Sequence, residues 1–257
     1  MKFRTLTLTL LAIVLTAACG GPEQPAAQAP VPETARPATN TPSDTSSQAA
    51  TTETARIELA QADAGAATSP RFSSGEHYEV LSPAQPTSSG PGQVEVAEFF
   101  MYSCIHCYNF EPYVEEWLSS KPEYVNFVRV PTVWNPGVRL HAQAFYALEA
   151  LGKTEDTHAA FFREFHNNSN YLSSEEALTE FAGRFEISEE QFKGAFDSFA
   201  IHAKLQRADE LTRRYRVNST PSIVVNGKYL TNATMAGGYP ALLELINELA
   251  ASERSGN

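Results

Sequence analysis

Cys104 and Cys107 stand three residues apart, between a run that has the pattern of a buried strand and a run that has the pattern of a helix. Before them, Val94-Glu95-Val96-Ala97-Glu98-Phe99-Phe100 is apolar on both faces except at its glutamates, which predicts a central strand. After them, Phe110, Tyr113, Val114, Trp117 and Leu118 recur at helical spacing. Pro112 falls inside that helix and is expected to kink it. Val125–Val130 then gives a second strand. Strand, helix and strand close a right-handed βαβ unit, with the cysteines at the carboxyl end of its first strand.

The rest of the chain is arranged around this unit. Tyr78–Leu81 predicts a short edge strand, and the Pro/Gly/Ser-rich stretch from Ser82 to Gly92 a loop. A helical block follows, with helices over about Leu140–Leu151, Thr157–Phe165, from Ser174 on, from Ser188 on and over about Phe199–Tyr215. Ser188-Glu189-Glu190-Gln191 has the form of a capping box. Ser222–Val225 and Tyr229-Leu230 flank Asn226-Gly227, a strong hairpin signal, and Ala241–Ala251 is a closing amphipathic helix. The expected class is α/β: βαβ, a block of helices, then ββα.

A Cys-x-x-Cys at a helix start has several chemistries. A zinc site needs two more ligands at suitable spacing, and the remaining cysteine is Cys19 with the histidines scattered, so no metal is expected. Covalent haem attachment needs histidine after the second cysteine, and residue 108 is Tyr. An inert four-residue bridge closes too small a loop to restrain the unfolded chain much. A redox dithiol needs two sulfurs that can close a disulfide and a field that stabilises one thiolate; backbone N–H groups at the helix start supply part of it, and His106 a charge or hydrogen bond. Cys104, at the helix N-terminus, is the expected exposed nucleophile, with Cys107 one turn inside. Glu98 lies in an apolar strand, so desolvation favours its neutral form. It is read as a proton exchanger for Cys107 and as half of a buried ion pair with Arg129, two compatible roles. Phe100, Met101, Tyr102 and Ile105 form a candidate apolar rim, with Phe100 equally suited to the core. His77, His141, His158, His166 and His202 have no ligand spacing and are read as surface or satisfied helix residues, Trp117 and Trp134 as core or groove filler. The formal charge of −11 argues against a nucleic-acid partner.

The N-terminus has a separate logic. Lys2 and Arg4 precede a short apolar run, Leu6–Leu15, too short to span a bilayer, which predicts an export signal. Leu15-Thr16-Ala17-Ala18-Cys19 resembles a bacterial lipobox, which implies lipid on Cys19 and a membrane anchor. From Gly20 to about Pro70 the chain is Pro-, Ala-, Thr-, Ser- and Gln-rich, which predicts a disordered tether with a reach of roughly 40 Å. The expected organisation is a signal over 1–18, a tether over 19–71, one half of the catalytic head over 72–138, an inserted helical domain over 139–203, and a connecting helix with the second half over 204–257.

The head resembles the DsbA family of thioredoxin-fold, periplasmic thiol:disulfide oxidoreductases. Cys104-Ile105-His106-Cys107 is similar to the family's C-P-H-C, Glu98 stands six residues before Cys104 as the family's buried acid does, and Pro112 matches its helix proline. Thr220-Pro221 followed by Ser222–Tyr229 is similar to the family's cis-proline segment and hairpin, and the helical block matches its inserted domain. The resemblance implies a thioredoxin-like fold, catalysis by Cys104, Cys107, His106 and Glu98, and substrate contact at Thr220, cis Pro221 and Ile105. It implies no cofactor. Its partners would be reduced, unfolded exported proteins and a membrane quinone reductase of the DsbB type; a monomer is expected. Ile105 replaces the usual proline, and Thr220 a valine of the best-known members. Threonine there also occurs in isomerase-like relatives, so isomerase or reductase use, or a thiol-dependent chaperone, stays open beside the oxidase.

Overall fold

The computed structural model describes residues 71–256. The export signal, Cys19 and nearly all of the tether lie outside the described residues.

A five-stranded sheet runs in the order β1-β5-β4-β2-β3: β1 is Glu79–Val80, β2 Val94–Phe100, β3 Val125–Pro131, β4 Ser222–Val225 and β5 Tyr229–Thr231. β2 pairs in parallel with β3 and antiparallel with β4. α1 (Ile105–Ser120) is the crossover of the βαβ unit. All seven residues of β2 are buried, as a central strand requires. Side chains alternate across a strand, so Val94, Val96 and Glu98 share one face. On that face Val94 and Val96 join an apolar cluster with Phe110, Val114 and Trp117 of α1 and Leu242, Leu245, Ile246 and Leu249 of α8 (Tyr239–Ser255). Ala97 and Phe99 point the other way, where Phe99 meets Tyr215 edge-on at 5.7 Å.

The helical block between β3 and β4 holds α2 (Pro136–Ala150), α3 (Thr154–His166), α4 (Glu175–Gly183), α5 (Glu189–Phe196) and α6 (Phe199–Arg214). It packs on the carboxyl end of β2 through Phe100, which touches Tyr102, Phe145, His158 and Phe162. This is a thioredoxin-like α/β fold with an inserted helical domain.

Several expectations shift. α2 begins at Pro136, earlier than the apolar periodicity suggests, because Asn135 caps it (its side chain accepts from Val138 N at 3.0 Å) and proline suits the first helical position. Ser188 and Gln191 form the anticipated capping box. A short α7 (Ala233–Ala236), capped by Asn232, was not legible as a helix. The Asn226-Gly227 turn has both residues at positive φ, 50° and 64°, and Lys228 N donates to Val225 O at 3.0 Å. A Cβ at Gly227 would also collide with the Gln85 carbonyl, so this glycine serves both the turn and the close approach of the Ser82–Gly92 loop. Trp117 is buried, its indole N–H bonded to Asn247 at 2.9 Å; Trp134, expected to fill core or groove, is 42% exposed in the loop before α2.

Candidate active site

Cys104 is the N-cap of α1. Its backbone is extended (φ −87°, ψ 114°), and its Sγ accepts from the Cys107 N–H at 3.4 Å. A sulfur there faces the unpaired N–H groups of the first helical turn, which favours its thiolate. The Cys104 pKa falls to about 5. The largest cause is a hydrogen bond from the Cys107 thiol; burial opposes it, and Thr220 and the N–H groups of Cys107 and His106 add to the lowering. In its thiol form Cys104 donates to the Thr220 carbonyl at 3.2 Å. Both cysteines are free thiols, and Cys107 has no exposed surface. Burial, then the bond it gives to Cys104, push Cys107 far above the ordinary thiol range. The two sulfurs therefore differ sharply although they lie one helical turn apart.

Sequence reasoning placed Cys104 in the open, yet the residue is only 7% exposed. The Thr220 carbonyl lies against its sulfur at 3.2 Å. Phe100 and Tyr102, read as rim candidates, are 0% and 2% exposed and belong to the core; β2 ends beneath the helical block, which covers both rings. Ile105 is the rim residue, at 47% exposure. His106 is exposed too, and it is its backbone N–H that bears on Cys104. Its carbonyl accepts from the Tyr239 hydroxyl at 2.9 Å, and Tyr239 stacks on Phe110 at 5.1 Å. A groove of about 370 Å³ beside the cysteines is lined by His106, Thr220, Pro221, Asn232 and Tyr239. The Thr220-Pro221 peptide bond is cis, as the resemblance implied.

Beneath the cysteines lies a buried charged chain. Glu98 on β2 has no exposed surface and neither carboxyl oxygen has a hydrogen-bond partner. Arg129, opposite it on β3, approaches with Nε at 3.6 Å but gives its Nη2 to Glu111 of α1 at 3.0 Å. Glu111 also accepts from His158 of α3 at 3.2 Å, and His158 Nδ1 is 2.8 Å from the Tyr102 hydroxyl. One cation thus serves two carboxylates. Glu98 is pushed up to about 8, first by burial, then by the charge of Glu111, against Arg129. Burial would raise Glu111 too, but His158 and Arg129 outweigh it and hold Glu111 below the usual carboxylate range. The anticipated Glu98–Arg129 pair exists, but as the weaker half of a shared arrangement. Glu111 and His158 were missed. Glu111 follows Cys107 by four residues, hence on the same helical face, and that spacing was the available signal. For His158 there was none.

The relatives decide the family. A thioredoxin family model matches residues 91–244. The chain is 34% identical over 191 residues to the thiol:disulfide interchange protein DsbA of Burkholderia cepacia, spanning 74% of this chain and 88% of the relative. It is 35% identical over 199 residues to that of Pseudomonas aeruginosa, spanning 77% and 94%. The crystal structure of Pseudomonas aeruginosa DsbA superposes with a TM-score of 0.69 at 36% identity, over 72% of this chain and 96% of the other.

The chain belongs to the DsbA family. With it comes the activity: the chain is a thiol:disulfide oxidoreductase. A further relative of known structure, the oxidoreductase DsbA of Xylella fastidiosa, has a TM-score of 0.67 at 26% identity, covering 72% of this chain and 98% of that one. In this DsbA-family chain Ile105 occupies the first helical position, where proline would pre-set the turn. The Cys104 thiolate field does not need that proline, since it comes from the Cys107 thiol, Thr220 and backbone N–H groups.

Ultraviolet titration of the reduced protein at the thiolate band is expected to show one low-pH transition with a midpoint near 5, absent in Cys104→Ala. In Cys107→Ala the midpoint rises, because the largest stabilising contact is gone. A midpoint unchanged by that substitution would mean that the Cys107 thiol does not hold the thiolate.

Proposed function

We propose that the protein is a dithiol oxidase for reduced, unfolded exported proteins, acting in the periplasm as a monomer. The observation that carries this reading is the asymmetry of the two sulfurs: Cys104 stabilised as thiolate, Cys107 held as thiol. Starting from the Cys104–Cys107 disulfide, a substrate thiolate attacks Cys104 Sγ. The bond to Cys107 breaks, and Cys107 leaves with the electron pair and takes a proton. Glu98 is the assigned donor: a carboxyl near 8 is mostly protonated at neutral pH, and its charge bears on Cys107. A second substrate thiolate then attacks the substrate sulfur of the mixed disulfide and expels Cys104 as thiolate. The substrate leaves with one disulfide and the protein with two reduced sulfurs; of the two substrate protons one replaces the proton that Glu98 gave to Cys107 and the other, matching the Cys104 thiolate, is released to solvent. The low Cys104 pKa makes it the better leaving group and favours the reduced protein, which is what gives an oxidant its direction.

In this reading the groove beside Thr220 and Pro221, with Ile105 and the exposed His106 on its edge, receives extended substrate chain. A membrane quinone reductase of the DsbB type takes the two electrons back. Residues 1–18 direct export, Cys19 is lipidated and residues 19–71 are the tether between membrane and head, which is divided as 72–138, an inserted helical domain over 139–203, and 204–257. The lipobox resemblance and the composition after it support the anchor.

Cys107→Ala is expected to accumulate mixed disulfides with exported proteins and Cys104→Ala to trap none; the reverse pattern would show that the attacked sulfur is misassigned. Separately, mass spectrometry of the mature N-terminus should find a diacylglyceryl Cys19, and an unlipidated soluble chain beginning at or beyond that residue would remove the anchor from the account.

A further inference from the structure

The chain of buried polar groups under the active site contains a member that the inserted helical block contributes. His158 sits on α3 with no solvent access to speak of, at 5% exposure, among Phe100, Phe145 and Phe162. It makes two polar contacts: Nδ1 to the Tyr102 hydroxyl at 2.8 Å and Nε2 to Glu111 Oε1 at 3.2 Å. One protonation pattern satisfies all three groups. Burial drives Tyr102 up, so its hydroxyl keeps its proton and donates to Nδ1. Burial drives His158 down, so the ring is neutral, and its single proton, on Nε2, is donated to Glu111.

Glu111 Oε1 is held by His158 and Oε2 by Arg129 Nη2, which fixes the guanidinium toward α1. Arg129 Nε is left without a hydrogen bond, 3.6 Å from Glu98, whose two oxygens are unpartnered. Without the His158 contact Glu111 would lose a donor that stabilises its anion. Burial then favours its protonation, and Arg129 becomes free to close on Glu98.

We propose that His158 is a positioning residue of the thiol:disulfide reaction, which clamps Glu111 toward Arg129 and thereby keeps Arg129 from closing on Glu98. The inserted block therefore does more than cover the end of β2: it decides which of two buried carboxyls carries the proton. The groups that face Glu98 are Glu111, Cys104 and Cys107 from the α1 side, Arg129 from β3 and Tyr102 from the end of β2; those that face His158 are Tyr102, Glu111, Arg129 and Glu155. The inference deepens the assignment of Glu98 as proton donor to Cys107 and rests on it for its role in turnover, while its physical content, the placement of a proton, is measurable without turnover.

Infrared difference spectra of the reduced protein across pH, taken against Glu98→Gln and Glu111→Gln, assign the protonated carboxyl at neutral pH. In the native chain the band belongs to Glu98. In His158→Leu it is expected to pass to Glu111, with the Glu98 midpoint falling by about 1–3 units, the span that an opposite charge at close range produces. His158→Gln, whose amide can accept from Tyr102 and donate to Glu111, restores the native pattern. Should the leucine variant not fold, His158→Asn, too short to reach Glu111, takes its place. A Glu98 band unchanged in the leucine or asparagine variant, or a glutamine variant that behaves like leucine, overturns the proposal. If the proton moves as stated while Glu98→Gln resolves mixed disulfides at the native rate, the positioning role stands and the proton-donor assignment falls.

Discussion

The site depends on the seat of the Cys104 sulfur at the start of α1, where it accepts from the Cys107 N–H at 3.4 Å and where the Cys107 thiol is the largest cause of its lowered pKa. It works because the two residues sit at unlike positions of one helical turn. Cys104 caps the helix and faces its unpaired N–H groups; Cys107 is inside the turn and fully covered. The same burial that keeps Cys107 protonated makes it available as a donor, so each sulfur's state supports the other's. Forming the disulfide removes this arrangement, and breaking the disulfide restores it.

That asymmetry creates a second requirement. A leaving Cys107 needs a proton in a place that water barely reaches. A carboxyl buried with its own arginine would be ionised and useless as a donor, and one buried alone would hold its proton too firmly. Here Arg129 is divided between Glu98 and Glu111, which leaves Glu98 near 8. The elements brought together for this are far apart in sequence: β2, α1, β3 and, through His158, α3. A thioredoxin-like unit without the inserted block would lack the last of them.

Much of this was legible in the sequence because local patterns carry it. β2 shows itself by an apolar run broken only at Glu95 and Glu98, α1 by its helical spacing, and the β4–β5 turn by Asn226-Gly227, whose positive φ values few other residue pairs accept. Glu98 stood out as an acid in an apolar strand. What failed to show was tertiary. Tyr102 looks like a rim residue beside the cysteines, and only the helical block, stacking Phe161 on it at 3.8 Å, makes it core. Glu111 looks like a surface glutamate until Arg129 and His158 are placed against it. His158 is one histidine among six, and no spacing connects α3 with α1. Cys104 gave its chemistry away by its position at a helix start but not its burial; the carbonyl against its sulfur belongs to Thr220, more than a hundred residues later.

The folded protein stabilises its reduced form through the Cys104 thiolate. A thiol whose pKa is lowered on folding contributes stability that is complete above its unfolded value, about 8.5, and is lost as pH falls through its folded value. With Cys104 near 5, the reduced form gains stability across the range from about 5 upward, and the disulfide form, which has no such proton to lose, does not. Denaturant unfolding of the oxidised and reduced head, measured in parallel from pH 4 to pH 8, tests this most directly. The reduced form should be the more stable at neutral pH, with the difference shrinking as pH falls toward 5. An oxidised form that is more stable at neutral pH, or a difference that does not change with pH, would contradict the account.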